Sequence, residues 1–182
     1  MKKFLVAALA ALSGSLLALA APTAQAQDIS FSKDTSSFLV LNGGYFDVVK
    51  GDEPAGSFGA EYRHSEGLFG VFKPMVATFG TSDGSFWIGA GVAVDVYFGD
   101  HVVLTGSFAP GYYAKGDGKD LGYPLEFRSK AELGYRFDDT SRLTLGIAHL
   151  SNSGAWSDHN PGVEVATVNY YLPLGNLFSM MK

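Results

Sequence analysis

Polar and apolar residues alternate in a series of stretches along this sequence. Alternation with a period of two puts successive side chains on opposite faces of a strand. Eight such stretches span about 37–49, 56–63, 68–80, 85–98, 101–114, 123–137, 142–151 and 163–172. Gly, Asp, Ser and Pro are concentrated between them, as is typical of turns. Eight antiparallel strands can close without a free edge, so the sequence predicts an all-β fold, an eight-stranded antiparallel β-barrel.

Two predicted strands show that such a barrel would have one apolar face and one mixed or charged face. In the stretch 85–98, a row of Phe, Ile, Ala and Val alternates with a more mixed row. In the stretch 123–137 one face is apolar, and the other carries the charged side chains Glu126, Arg128, Lys130, Glu132 and Arg136. A soluble lipocalin-like barrel would turn these charges outward, whereas a membrane barrel would enclose them in a charge-paired interior together with Glu61 and Arg63.

The N-terminus has the order of features expected of a bacterial export signal. Lys2 and Lys3 form a basic start, an apolar run follows, and Ala24-Gln25-Ala26 fits a cleavage site. Residues 1–26 are therefore predicted to be a cleaved signal peptide, and residues 27–182 a single outer-membrane β-barrel domain. An uncleaved membrane anchor is the alternative. The sequence contains no cysteine, which excludes disulfides and thiol catalysis.

Three further features favour a barrel in the outer membrane of a Gram-negative bacterium. The predicted strands have the length of about ten residues that a tilted span requires. Phe86 and Phe98 lie at the two ends of one apolar row, as in an interfacial aromatic girdle. With the N-terminus in the periplasm, the longest linkers would lie outside. The net charge of −5 argues against a nucleic-acid partner.

Three polar residues continue the apolar, lipid-facing rows at the end of the chain. His149 and Ser151 share the outward parity of the stretch 142–151, and Glu164 shares that of 163–172. Because these strands run in opposite directions, the three residues should meet at the extracellular end. Histidine can take the proton of a serine hydroxyl, and a carboxylate can orient the imidazole. Asn152 and Asn160 are candidate donors to an oxyanion. The alternative is that all five are ordinary polar residues where strands enter an outer loop.

The segment His149-Leu150-Ser151-Asn152, followed by Asn160-Pro161-Gly162-Val163-Glu164, resembles the lipid A 3-O-deacylases of the PagL type. Members of that family are eight-stranded outer-membrane barrels. The resemblance implies Ser151 as nucleophile, His149 as general base and Glu164 as orienting acid, with Asn152 and Asn160 on the oxyanion side. The loop between the two asparagines is about one residue longer than in the family pattern.

The function implied by this resemblance is a serine esterase that removes the 3-O-linked acyl chain from lipid A of lipopolysaccharide. Its partners would be lipid A and the outer membrane, and its mechanism needs no metal or organic cofactor. Two alternatives stay open. One is a non-enzymatic structural or adhesive barrel, and the other is an acyltransferase or phospholipase that uses the same triad. The oligomeric state is also open, with a homodimer as one alternative.

Overall fold

A computed structural model describes residues 28–31 and 34–175. The predicted signal peptide, residues 1–26, and the last part of the C-terminal tail lie outside the described residues. The described strands are β1 Ile29–Phe31, β2 Phe38–Phe46, β3 Ala55–Arg63, β4 Lys73–Thr81, β5 Phe86–Phe98, β6 Val102–Ala114, β7 Leu125–Arg136, β8 Arg142–Ser151 and β9 Val163–Pro173. No helix in this part of the chain is long and apolar enough to cross a membrane.

Strands β2 to β9 form a closed antiparallel barrel. Each strand pairs with the next along the chain, and β9 pairs with β2. This confirms the predicted eight-stranded antiparallel barrel. We call the end that carries the loops 47–54, 82–85, 115–124 and 152–162 the outer end, because β8 and β9 carry the candidate site there.

Several predicted strands were too long, and the cause is a left-handed backbone at their ends. Asp47 has a φ of 59°, so the first barrel strand stops at Phe46 and not at residue 49. The strand predicted from residue 68 begins only at Lys73. Residues 68–72 instead form a tight turn, in which Phe69 has a φ of 53° and the Leu68 N–H donates to the Phe72 carbonyl at 2.8 Å.

One strand, β1, was not predicted. Strand β4 begins at Lys73, which pairs with Ala93 of β5. The edge of β5 from Val96 to Phe98 lies beyond that point, and β1 pairs there. Just after β1, buried Asp34 accepts hydrogen bonds from Arg136 at 2.7 Å and from Arg142. The segment before β2 therefore completes the barrel wall and contacts its interior.

The faces of the barrel are divided as predicted, with apolar side chains outside and charges inside. On β8 the outward residues Leu143, Leu145 and Ile147 are exposed, and on β7 Arg128 and Lys130 are buried. A barrel whose exposed band is apolar suits a lipid environment. The arrangement excludes the soluble alternative, which needed the charges outside.

The interior has a charged layer and an apolar layer. In the charged layer, Glu61 accepts hydrogen bonds from Arg63 at 2.8 Å and from Arg128 and Lys130 at 3.0 Å each. The predicted ion network is therefore present, although within the described residues Glu126 forms none of these pairs. Towards the outer end apolar side chains predominate in the interior, and the rings of Phe79 and Trp87 stack at 5.9 Å, although Glu126 is also buried there.

The same charged layer connects the three strands β7, β8 and β9. Glu132 of β7 accepts hydrogen bonds from Thr144 of β8 at 2.7 Å and from Tyr171 of β9 at 2.8 Å. Lys130 of β7 donates to Asn169 of β9 at 2.8 Å. These contacts inside the barrel hold together the strands whose outward faces carry the candidate site.

The outer loops are braced against one another. Lys119 in the loop 115–124 pairs with Asp47 at 2.7 Å, and both side chains are buried. The Tyr113 hydroxyl donates to the Lys119 carbonyl at 2.8 Å. Loop 152–162 joins them through Asn152, whose amide donates to the Leu121 carbonyl at 2.9 Å. The loops therefore form a fixed support above the strand ends.

Candidate active site

His149 and Glu164 form a hydrogen-bonded pair on the outer wall of the barrel. They are direct cross-strand partners in the register of β8 and β9, and His149 Nδ1 lies 3.1 Å from Glu164 Oε1. The imidazole side chain is 50% exposed and the carboxylate side chain 25% exposed. Because Nδ1 contacts the carboxylate, Nε2 is the nitrogen left to take up a proton.

Gly162 lies close to the Cε1 and Nε2 atoms of this imidazole. Its φ is 62°, and a Cβ built on it would come within 2.9 Å of His149 Cε1. A side chain here would meet both a backbone conformation that glycine tolerates best and the imidazole itself. The sequence reasoning did not single out this residue, although the Asn160-Pro161-Gly162 turn was a signal that could have found it.

Ser151 lies two residues after His149 on the same outward face, but in this structure it contacts Asn160. Its hydroxyl donates to Asn160 Oδ1 at 3.1 Å, and Asn160 Nδ2 donates to Ser151 Oγ at 3.0 Å. The Ser153 backbone N–H also donates to Ser151 Oγ, at 3.0 Å. Within the described residues, no hydrogen bond joins Ser151 to His149. The site thus contains two adjacent pairs, His149 with Glu164 and Ser151 with Asn160.

Asn152 and Asn160 occupy different positions relative to Ser151. The Asn152 side chain is fully buried, and its amide donates to the carbonyls of Leu121 at 2.9 Å and His159 at 3.2 Å. Its backbone N–H donates to Asn160 Oδ1 at 3.3 Å. Of the two asparagines named from the sequence, only Asn160 brings its side chain to the serine, and Asn152 holds the loop that carries it.

A groove of about 370 Å³ lies on the outer wall beside His149. Its floor consists of outward-facing residues with small side chains or none, Gly106 of β6 and Ser129 and Ala131 of β7. Ser129 is the register partner of His149, and Ala131 is the partner of Ile147. The groove therefore begins at the imidazole and follows the wall away from the outer loops. Its size is in the range of small-molecule sites.

Comparisons with known proteins agree with the fold and identify the family. The structure resembles the crystal structure of the outer membrane enzyme PagL, with a TM-score of 0.59 and 14% identity over 76% of this chain and 99% of that one. It also resembles a de novo designed transmembrane β-barrel, with a TM-score of 0.52 and 14% identity over 79% of this chain and 100% of that one. At such identities the likeness concerns the fold alone.

The search of curated proteins gave no significant match. A family model described as lipid A 3-O-deacylase (PagL) matches residues 75–173. That match covers more than half of the chain and includes His149, Ser151, Asn152, Asn160 and Glu164. The chain belongs to the PagL family of lipid A 3-O-deacylases.

Proposed function

We propose that this chain is an outer-membrane esterase that removes the 3-O-linked acyl chain from lipid A. The observation that carries the proposal is the His149–Glu164 pair on the lipid-facing wall, two residues along β8 from the outward serine Ser151. An exposed hydrogen-bonded pair of ionisable side chains contributes little to stability, and charged groups on the lipid face of a barrel are generally unfavourable. A catalytic role gives a reason for placing this pair there.

The proposed nucleophile is Ser151, activated by His149. Rotation of the serine about its Cα–Cβ bond would exchange Asn160 for the imidazole, and catalytic hydrogen bonds often tighten only when substrate binds. Glu164 would hold the ring through Nδ1 and stabilise the imidazolium. This geometry supports a Ser–His–Glu triad whose serine is held by Asn160 in the absence of substrate.

The proposed reaction proceeds through an acyl-serine. Ser151 Oγ attacks the ester carbonyl while His149 Nε2 accepts its proton, and the carbonyl oxygen becomes an oxyanion. Asn160 Nδ2, which lies 3.0 Å from Ser151 Oγ, is the proposed donor to that oxyanion. The tetrahedral intermediate then expels the 3-hydroxyl oxygen of the sugar, which takes the proton from His149. Water, deprotonated by the same histidine, hydrolyses the acyl-serine to free fatty acid and regenerates the serine.

The outer wall suits this substrate because lipid A need not leave the membrane. The acyl chain would lie in the groove that begins at His149, with its ester at the level of Ser151 and its sugar above. All proposed site residues belong to one barrel wall and its adjoining loop, so one copy of the chain is sufficient, and nothing here supports a homodimer. Export through the predicted signal peptide is part of the proposal, and N-terminal sequencing of the mature protein should begin at Gln27.

The test is to compare lipid A by mass spectrometry from Gram-negative cells that express the wild type, Ser151→Ala or Ser157→Ala. Ser157 is a matched control because it lies in the loop 152–162 that directly follows Ser151, and its hydroxyl accepts a local backbone N–H from His159. We expect the wild type and Ser157→Ala to remove one hydroxyacyl group, and Ser151→Ala to remove none.

Other outcomes would favour the alternatives. An added acyl chain on lipid A would indicate an acyltransferase, and loss of acyl chains from glycerophospholipid would indicate a phospholipase. Unchanged lipids, with folded wild-type protein in the outer membrane, would contradict the enzymatic proposal and favour a structural barrel.

A further inference from the structure

Four aromatic rings form a continuous row of pairwise contacts on the outer wall beside the proposed nucleophile. The ring centroids of Phe108 and Phe127 are 5.8 Å apart, those of Phe127 and Trp156 are 5.8 Å apart, and those of Trp156 and Tyr123 are 5.8 Å apart. The interplanar angles are 14°, 34° and 17° in the same order. We call these four residues the aromatic ladder.

The ladder runs along one side of Ser151 and up to the level of the outer loops. Phe127 of β7 is the register partner of Ser151, whereas Glu164 lies on β9, the strand on the other side of β8. Trp156 belongs to the loop 152–162, whose first residue, Asn152, is anchored in the interior. Trp156 is 50% exposed and Tyr123 is 39% exposed. The ladder thus presents ordered aromatic surface next to the proposed nucleophile.

Two chemically different surfaces therefore lie close to Ser151. The groove over Gly106 and Ala131 is lined mainly by small and apolar residues and runs along the lipid-facing wall, whereas Trp156 lies at the level of the loops. A 3-O-acyl ester of lipid A also has two chemically different sides, a hydrocarbon chain on one side of the carbonyl and a sugar ring on the other. When the chain occupies the groove and the carbonyl faces Ser151, the sugar lies on the side of the outer loops.

We propose that Trp156, supported by Tyr123 and Phe127, is a platform for the glucosamine ring that carries the scissile ester. This inference rests on the proposed function and assigns Trp156 as a positioning residue. The C–H groups on one face of a sugar ring can contact an aromatic face, whose quadrupole is negative above the ring plane. Trp156 stacks with Tyr123, contacts the tilted ring of Phe127 and is still 50% exposed, so the sugar can contact the uncovered part of the indole. Because these contacts already hold the side chain, little side-chain freedom is lost when the sugar binds.

The simpler explanation is that Trp156 is one more residue of the interfacial aromatic belt. A belt residue anchors the barrel in the membrane, so its loss would affect the hydrolysis of every ester alike. A platform for the sugar would affect only substrates that contain the sugar. Phe86 provides a matched control, since it is a half-exposed aromatic residue at the outer end of β5, away from β8 and β9.

The kinetic test compares Trp156→Ala with Phe86→Ala on two substrates in detergent micelles, lipid A and a p-nitrophenyl ester of a fatty acid. We expect Trp156→Ala to raise KM for lipid A about tenfold, which corresponds to one good aromatic contact, with KM for the simple ester within twofold of wild type. Phe86→Ala should change neither. Equal effects of Trp156→Ala on both substrates, or no effect on lipid A, would overturn the platform.

A binding measurement separates this inference from the proposed function. Ser151→Ala and the double variant Ser151→Ala/Trp156→Ala are titrated with lipid A in the same micelles, with heat-modifiable gel mobility as a check that both barrels are folded. We expect about tenfold weaker binding by the double variant. Equal dissociation constants would refute the platform whether or not the wild type hydrolyses lipid A, while absence of hydrolysis by the wild type would refute the proposed function alone.

Discussion

Replacement of Gly162 by alanine should lower catalysis far more than stability. The new Cβ would lie 2.9 Å from His149 Cε1, whereas carbon atoms in contact prefer about 3.5–4.0 Å. The imidazole is the end of a half-exposed side chain, so it can move by about 0.6 Å or more at little energetic cost. The His149–Glu164 distance is already 3.1 Å, near the upper end for a good hydrogen bond, so such a movement should disrupt the pair.

Gly154 provides the control for backbone strain. It lies in the same loop with a φ of 66°, and a Cβ there would meet nothing within 4 Å. Alanine in the left-handed region costs about 1–2 kcal/mol at either position, so both variants should lose a similar amount of stability. Misplacement of a catalytic group by about 1 Å can lower a rate about 100-fold.

The assay is the initial rate of fatty acid release from lipid A, with the urea midpoint of unfolding measured in parallel. We expect kcat to fall between about 10-fold and 100-fold for Gly162→Ala and to stay within twofold of wild type for Gly154→Ala. Equal kcat values for the two variants, at similar stability, would refute the argument that Gly162 positions the imidazole.

Two predictions concern stability, and both can be measured by urea unfolding in detergent. Arg142→Met should destabilise the barrel by about 3–5 kcal/mol, because buried Arg142 pairs with Asp34 and with Asp95 at 3.1 Å, and both carboxylates would lose that partner. A loss below about 1 kcal/mol would contradict this. Burial alone would raise the pKa of Asp47, but hydrogen bonds from the Glu53 backbone and from Lys119 hold it below the usual value of 3.8. A lowered pKa stabilises the folded state above pH 3.8, and this contribution is lost as the pH falls through the folded-state pKa. Asp47→Asn should therefore be less stable than wild type at neutral pH, with the difference shrinking below about pH 4; a difference independent of pH would refute the argument.

The faces of the barrel could be predicted from the sequence because side-chain parity in a strand follows from backbone geometry alone. That parity correctly put Arg128 and Lys130 inside and Leu145 outside. The lengths of the strands were harder to predict from the sequence. The left-handed backbone at Asp47 and Phe69, which ends one strand and delays another, occurs at non-glycine residues that give little sequence signal. Strand β1 has only three residues, Ile29–Phe31, which is too short for a pattern.

Side-chain parity also predicts which face of the barrel carries the candidate site. It does not predict which residues of the site contact one another. Parity puts His149, Ser151 and Glu164 on the outward face, but only the register of β8 and β9 puts His149 opposite Glu164. Register depends on the loop between the strands, whose conformation the sequence does not specify. The two asparagines illustrate the limit. Asn152 turns inward because its amide donates to Leu121 in another loop, whereas Asn160 turns to Ser151 and to the Asn152 backbone. No local sequence pattern contains these contacts.

The contacts of Glu132 with Thr144 and Tyr171 have a consequence for how such a site can change over evolution. A slip of two residues between β8 and β9 would leave every side chain on its own face and still separate His149 from Glu164. The polar contacts in the interior penalise such a slip, because it would leave buried hydrogen-bonding groups without partners. The alignment of outward residues is thus fixed by residues that never meet the substrate. Side chains along the groove and the loops can therefore change to accept new acyl chains or head groups, while the alignment of the proposed catalytic residues is inherited unchanged.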